Sequence, residues 1–264
     1  MRRSQLFWGV ALLLLGGLMF AGQMGIKLPN GDSPTEIFFP LALLLAGAWI
    51  LLGAFFRGKI ETIEAFIDLQ GGTSAKIKLD HGAGELKLHG GASGAELLRG
   101  SFMGGLDSKT KLDGDHLEVK MRPAQDAVSF PFGGKIQLDW DVALNPQIPL
   151  DLEFNLGANK ATLDLRDLSI KHLNLDTGAS ETMIYFPARG RFSADVDCGA
   201  ASLEMTIPAE LSARIRATVV AGDLNLDKAR FPRNGAYYQS PDFDSAPNVV
   251  DISIDAGAAS VKIK

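Results

Sequence analysis

The chain is short of reactive side chains. Its one cysteine, Cys198, excludes an intrachain disulfide and any site built from several thiolates. The four histidines, His81, His89, His116 and His172, are scattered, and no H-E-x-x-H, G-x-S-x-G or Walker A pattern occurs. Gly82-Ala83-Gly84 lacks the third glycine and the following helix of a dinucleotide site, and is better explained as a chain corner. Basic charge is also scarce, since 26 Lys+Arg against 31 Asp+Glu leave a net charge of -5. Nucleic-acid binding needs a concentrated basic face, so nucleic acid is not an expected partner. No catalytic, cofactor or metal-ligating residues are nominated, and the chain is not expected to be an enzyme.

What is present is apolar and glycine-rich. With 46% hydrophobic and 22% charged residues, the chain has a globular balance that excludes wholesale disorder. Its 29 glycines point to many tight turns. Charge divides the chain in two. Residues 1–60 carry Arg2, Arg3, Lys27, Arg57 and Lys59 against Asp32 and Glu36, a net +3, and the remaining residues carry -8. The expected domains are 1–60 and 61–264.

In the first part, two long runs lack charge: residues 6–26, beginning LFWGVALLLLGGLMFAG, and residues 37–56, IFFPLALLLAGAWILLGAFF. Each reaches the roughly 20 apolar residues that cross a bilayer as a helix. The first run could be a cleaved leader, but Met19-Phe20-Ala21 is a poor cleavage pattern and a second run follows at once. A transmembrane helical hairpin in the inner (cytoplasmic) membrane is therefore expected. Pro40 falls in the first turn of the second helix, Trp8 and Trp49 near helix ends, and Gly9/Gly16 and Ala46/Gly53 on possible close-packing seams. Arg2, Arg3, Arg57 and Lys59 flank the pair, whereas Lys27 alone lies between, so both termini and the second domain are placed in the cytoplasm.

Beyond residue 60 the period changes to two, as in Ala75-Lys76-Ile77-Lys78-Leu79 and Leu150-Asp151-Leu152-Glu153-Phe154, which predicts strands with one buried face. The segments LGANKATLDL, TGASETMIYF, CGAASLEMTI and VAGDLNL recur, with Leu163, Ile184, Met205 and Leu226 spaced by 21 residues. Phe154, Leu175, Val196 and Ala217 repeat at the same spacing. Outlying copies lie at His81–Leu88 and Ala256–Lys264. One strand–corner–strand unit cannot bury its own apolar face, and stacked units can. The expected fold is all-β, a β-solenoid of roughly 21-residue rungs, with Leu163, Ile184, Met205 and Leu226 as one continuous inward ladder.

Two stretches break the repeat. Between Leu97 and Pro149 the chain is interrupted by glycine and proline, with strands expected at 116–121 and 135–144. From Leu224 to its counterpart Val261 the spacing is 37 rather than 21 residues, owing to an insertion near 229–248 that carries Phe231, Tyr237, Tyr238 and Phe243. These aromatics are the candidate site: a partner-binding loop, or, the favoured reading, a cap over the last rung. Cys198 falls in the inward phase and reads as a packed, reduced thiol. His81 is also inward, and His172 outward. Asp176 and Asp197 face outward one period apart and should stack, and Asp242 and Asp244 lie in the insertion. Both pairs read as solvated acidic surface, since no third ligand is in place.

The apolar N-terminal stretches, RRSQLFWGVALLLLGGLMF and FFPLALLLAGAWILLG, resemble the two-helix region of the LiaI and LiaF cell-envelope stress proteins. The segment IPAELSARIRATVVAGDLNLDKARFPRNGAYYQSPDFDSAPNVVDISIDAGAASVKI is similar to the C-terminal part of toastrack-type β-solenoid domains. The resemblance implies a non-catalytic, membrane-anchored binding or regulatory module in a cell-envelope stress response, where LiaF-like domains restrain a membrane sensor kinase. Expected partners are the lipid bilayer, a sensor kinase or other membrane protein, and a homo-oligomer. The alternatives are a self-assembling bactofilin-like scaffold, which the apolar-alternating C-terminus Ala259–Lys264 would suit as an uncapped end, and a saccharide-active β-helix enzyme.

Overall fold

The computed structural model describes residues 3–25, 38, 40–45, 47, 61–124 and 138–264. The chain divides into two compact units, an N-terminal one and a β unit that begins at Ile60, and each is described by itself. In the first, α1 (Arg3–Gln23) is a helix of 21 residues, and residues 38, 40–45 and 47 are also helical. Among the described residues no helix is long and apolar enough to cross a membrane. Ala46, Trp49, Gly53 and much of the run 37–56 lie outside the described residues, as do Arg57 and Lys59. The expected spans therefore stand on the sequence.

In the β unit, alternating apolar and polar residues form strands with one buried face. In chain order these are β1 (Thr62–Asp68), β2 (Ser74–Gly90), β3 (Glu96–Met103), β4 (Leu106–Asp113), β5 (His116–Pro123), β6 (Trp140–Leu144), β7 (Pro149–Asp164), β8 (Ser169–Thr177), β9 (Glu181–Tyr185), β10 (Arg191–Cys198), β11 (Ser202–Thr206), β12 (Ser212–Val219), β13 (Asp223–Leu226), β14 (Arg233–Asn234), β15 (Tyr237–Gln239), β16 (Val249–Ala256) and β17 (Ser260–Ile263). They belong to one hydrogen-bonded sheet. Each rung has two arms that meet at a corner. In β7, Leu150, Leu152, Phe154 and Leu156 are buried before the corner, and Ala161 and Leu163 after it.

The corner requires glycine where rungs approach closely. A Cβ on Gly157 would lie 2.2 Å from the Gly82 carbonyl oxygen, well inside contact distance. A third side returns the chain to the next rung. Along it the N–H groups of Leu165, Phe186 and Ile207 donate to the carbonyls of Tyr185, Thr206 and Lys264 at 2.9, 3.1 and 2.9 Å.

Rungs stack through parallel pairing, with the 21-residue offset as register. Phe154 faces Leu175 and Leu175 faces Val196 on one arm. Leu163 faces Ile184 and Ile184 faces Met205 on the other. Between Leu97 and Pro149, β5 and β6 stack in parallel on the two arms of β2, on the side away from β7. The second of these strands covers Trp140–Leu144, and residues 135–137 of the expected strand lie outside the described ones. β4 then borders β5, β3 borders β6 and β1 borders β3, all in antiparallel pairing.

At the other end the order of the stack departs from the order of the chain. Met205 does not face Leu226: Ile263 lies between them, paired with Met205 on one side and Leu226 on the other. Likewise Ile254 separates Val196 from Ala217. The C-terminal rung, β16 and β17, is thus inserted between β10/β11 and β12/β13. All four expected ladder residues are buried, but the ladder has a fifth member. The C-terminus is therefore not an uncapped end, which removes the feature that suited it to end-to-end stacking. The reason is physical: periodicity assigns each side chain to a face and leaves open which in-phase strand becomes the neighbour.

Candidate functional site

The insertion after β13 is organised by its polar residues. Asp227 Oδ1 accepts from the Ala229 N–H at 2.8 Å, which turns the chain and sets Phe231 into the core with no exposed surface. Arg230 donates to the Ile207, Pro208 and Leu211 carbonyls at 2.6, 2.5 and 3.3 Å, tying the turn to the third side of the rungs. The short hairpin of β14 and β15 then lies antiparallel to β12, with Ile215 facing Tyr238. Ser240 completes the pairing: its N–H donates to Ala213 O at 2.8 Å, and its Oγ accepts the Ala213 N–H at 3.0 Å.

Among the four candidate aromatics, Phe231 and Phe243 are buried, Tyr238 packs half-buried against the core, and Tyr237 is 36% exposed. The Arg214 guanidinium lies 5.3 Å from the Tyr237 ring centre and 4.9 Å from that of Phe243, and forms an ion pair with Asp251. This geometry covers the edge of β12 and leaves Tyr237 as the outward member. Sequence reasoning passed over Arg214 and Arg230, because their partners are distant in the chain and carry no local pattern. Phe231→Ser should therefore lower stability by about 3–5 kcal/mol, and Tyr237→Ser by less than about 1 kcal/mol. Urea denaturation of the two variants checks the contrast.

A second feature is a row of outward carboxylates. Asp176 and Asp197 do stack across β8 and β10, and the inserted strand β16 adds Asp255 beside Asp197. Sequence reasoning missed Asp255 because periodicity did not show β16 threading between β10 and β12. The row continues to Asn155 and Asp80, where the Asn155 amide donates to the Asp80 carboxylate at 2.7 Å. Among the described residues Asp176, Asp197 and Asp255 form no ion pair, and no group of three or more His, Cys, Asp or Glu is arranged to hold a metal. The three carboxylates line an open depression of about 340 Å³ with Cys198, Thr218 and Val220. Burial, then Asp197 and Asp176, push the Cys198 thiol up to about 11, so it is not a thiolate nucleophile at neutral pH. Asp242 closes a turn of the insertion through its carbonyl, which accepts from Ser245 and Ala246.

His81 stands at the inner side of the corner, fully buried. Its Nε2 lies 2.7 Å from the Leu138 carbonyl and so carries the proton, whereas Nδ1 faces the Asn159 amide nitrogen at 3.1 Å and accepts. Burial holds its pKa below 6.5, although Leu138 O and Asp139 pull the other way. The unfolded chain takes up a proton near 6.5 while the folded one resists it. The stability this neutral histidine contributes is complete above that pH, and is lost as pH falls from 6.5 toward the lower folded value. The slope from this group is at most about 1.4 kcal/mol per pH unit. Comparing wild type with His81→Gln by denaturant unfolding at pH 7.5 and 5.0 should show a smaller acid loss in the variant.

Against known families, residues 56–207 match the model of the N-terminal domain of toast_rack, DUF2154. The match spans more than half of the chain. The protein belongs to the toast_rack family. The matched region runs from the segment before β1 to the end of β11, so it leaves out the N-terminal apolar stretches, the last rungs and the insertion. The toast_rack fold also appears in the crystal structure of a candidate cell adhesion protein from Clostridium sporogenes ATCC 15579, at TM-score 0.68 and 20% identity, covering 77% of this chain and 98% of that one. A candidate adhesin from Bacteroides fragilis NCTC 9343 aligns over 77% of this chain and 97% of its own at 8% identity, with a TM-score of 0.30 that is too low to count as a shared fold. No curated protein sequence matches the chain.

Proposed function

We propose that this toast_rack protein is a membrane-anchored, non-catalytic binding module that presents its β domain to a basic segment of a membrane protein, such as a sensor kinase of the cell-envelope stress response. The acidic row carries the binding reading. Like charges directly opposite one another across paired strands are destabilising, and Asp176, Asp197 and Asp255 occupy three successive rungs. A cationic partner segment laid along the row would relieve that repulsion, and the rigid stack holds the carboxylates in place for it. Anchoring is supported by the uncharged runs 6–26 and 37–56 and by apolar side chains left exposed on the helical residues, among them Leu13 at 78% and Leu43 at 75%.

The deciding variant changes Asp176, Asp197 and Asp255 together to Asn. Its thermal midpoint should be unchanged or slightly raised, while co-purification of the membrane partner from detergent is lost. Undiminished co-purification would mean that the row is only solvated surface. The orientation is checked separately: a C-terminal alkaline phosphatase fusion should be inactive and a fluorescent protein fusion bright.

A further inference from the structure

Among the described residues β1 pairs on one side only, with β3, and its other side is a free strand edge. Free edges of folded proteins are commonly guarded by lysine, proline or short length. Two other described strands that pair on one side only follow that rule: β4 exposes Lys109 and Lys111, and β13, at the far end of the stack, is four residues long. By contrast β1 has seven residues, TIEAFID, with neither lysine nor proline, and it exposes Ile63 at 38% and Phe66 at 63%.

The direction of its backbone groups follows from its two ends. The Glu61 carbonyl accepts from Gly104 N–H at 3.0 Å, and Leu69 N–H donates to the Ala95 carbonyl at 2.7 Å. Backbone groups alternate in direction along a strand, so odd-numbered residues face β3. Thr62, Glu64, Phe66 and Asp68 therefore present their N–H and C=O groups to the free side.

We propose that this edge is a homodimer interface, in which β1 of a second copy of this chain pairs antiparallel about a two-fold axis at Ala65. Parity and charge select that register. A pair of outward-directed residues must face each other for the ladder to bond, which limits the register to shifts of two. Centred on Ala65, Glu64 faces Phe66 of the copy, Thr62 faces Asp68 and Ile63 faces Ile67, so no two charges of like sign are opposed. A shift of two residues one way opposes Glu64 to its own copy, and the other way opposes Glu64 to Asp68. Both are unfavourable. In the selected register the two Phe66 rings are diagonal neighbours, about 7–8 Å apart and within reach of one another, and the exposed Ile63 is covered. The contact is self-complementary, as a two-fold interface requires.

Cysteine cross-linking of the full chain in detergent tests this. In a Cys198→Ala background, Ala65→Cys places two thiols in a non-hydrogen-bonded pair with Cα atoms about 4.5 Å apart, inside the range that a disulfide spans. Mild oxidation with copper phenanthroline should convert Ala65→Cys into a linked dimer, and leave Ile63→Cys and Leu224→Cys monomeric. A second variant adds Glu64→Pro, which removes an N–H directed to the free side and leaves the bonds to β3 in place. Its melting curve should match that of the parent, and its cross-linking should slow by about tenfold or more. An Ala65→Cys protein that remains monomeric, that links no faster than Leu224→Cys, or that links equally well with proline at 64 would overturn the interface. This test does not involve the acidic row, so the two can fail separately.

Discussion

Replacing Ile184 by Asp should unfold the adjoining rungs together, with a loss of several kcal/mol. The side chain has no exposed surface and lies between Leu163 on one rung and Met205 on the next. A carboxylate there would be buried without a partner. Because each rung contacts only its neighbours, local failure propagates along the stack as a cooperative unit. Tyr185, the next residue, points outward, with the Arg166 guanidinium 5.4 Å from its ring centre. Its replacement by Ser should cost under about 1 kcal/mol, the usual scale for an exposed contact. Denaturant unfolding of both variants measures the difference, and equal losses would mean that the strand phase is wrong.

Deleting residues 249–264 should be far more damaging than removal of a terminal repeat. In a solenoid stacked in chain order, loss of the last rung exposes one new surface and leaves the rest standing. Here β16 and β17 are each paired on both sides, to β10 and β12 on one arm and to β11 and β13 on the other. Their removal strips β12 and β13 of their parallel partners and undercuts the insertion that β12 supports through Ile215 and Ala213. The truncated protein should lose protection of the 212–248 backbone and lower the overall unfolding midpoint. Hydrogen exchange against the full chain reads both effects. Protection retained across 212–226 would contradict the inserted order.

A truncation that stops at residue 248 is thus a test of topology as much as of stability. It separates what was legible in the sequence from what was not. The two-residue alternation assigned Phe154, Leu175 and Ile184 to the interior, because a strand can bury only one face and a slip of one residue would expose the whole set. The 21-residue spacing gave the register of the middle rungs, since in-phase parallel pairing at that offset is how successive coils share one core. Cys198 and His81 were readable as inward for the same reason, and the aromatic insertion stood out because it interrupted a regular count.

Long-range pairing decided the rest. Asp255 joined Asp176 and Asp197 through the threading of β16 between β10 and β12, and the offset of 37 residues between Leu224 and Val261 was compatible with either order until the strands were seen paired. The aromatic residues of the insertion were visible from the start, but only the pairing of β15 with β12 and the guanidinium of Arg214 showed which of them are buried. Local pattern, then, determined the faces of the strands and the period of the rungs, because both are fixed within a few residues by backbone geometry. Neighbour identity, the capped edge and the length of the acidic row belong to the tertiary structure alone, because they depend on hydrogen bonds between segments whose sequences are equally fit to pair.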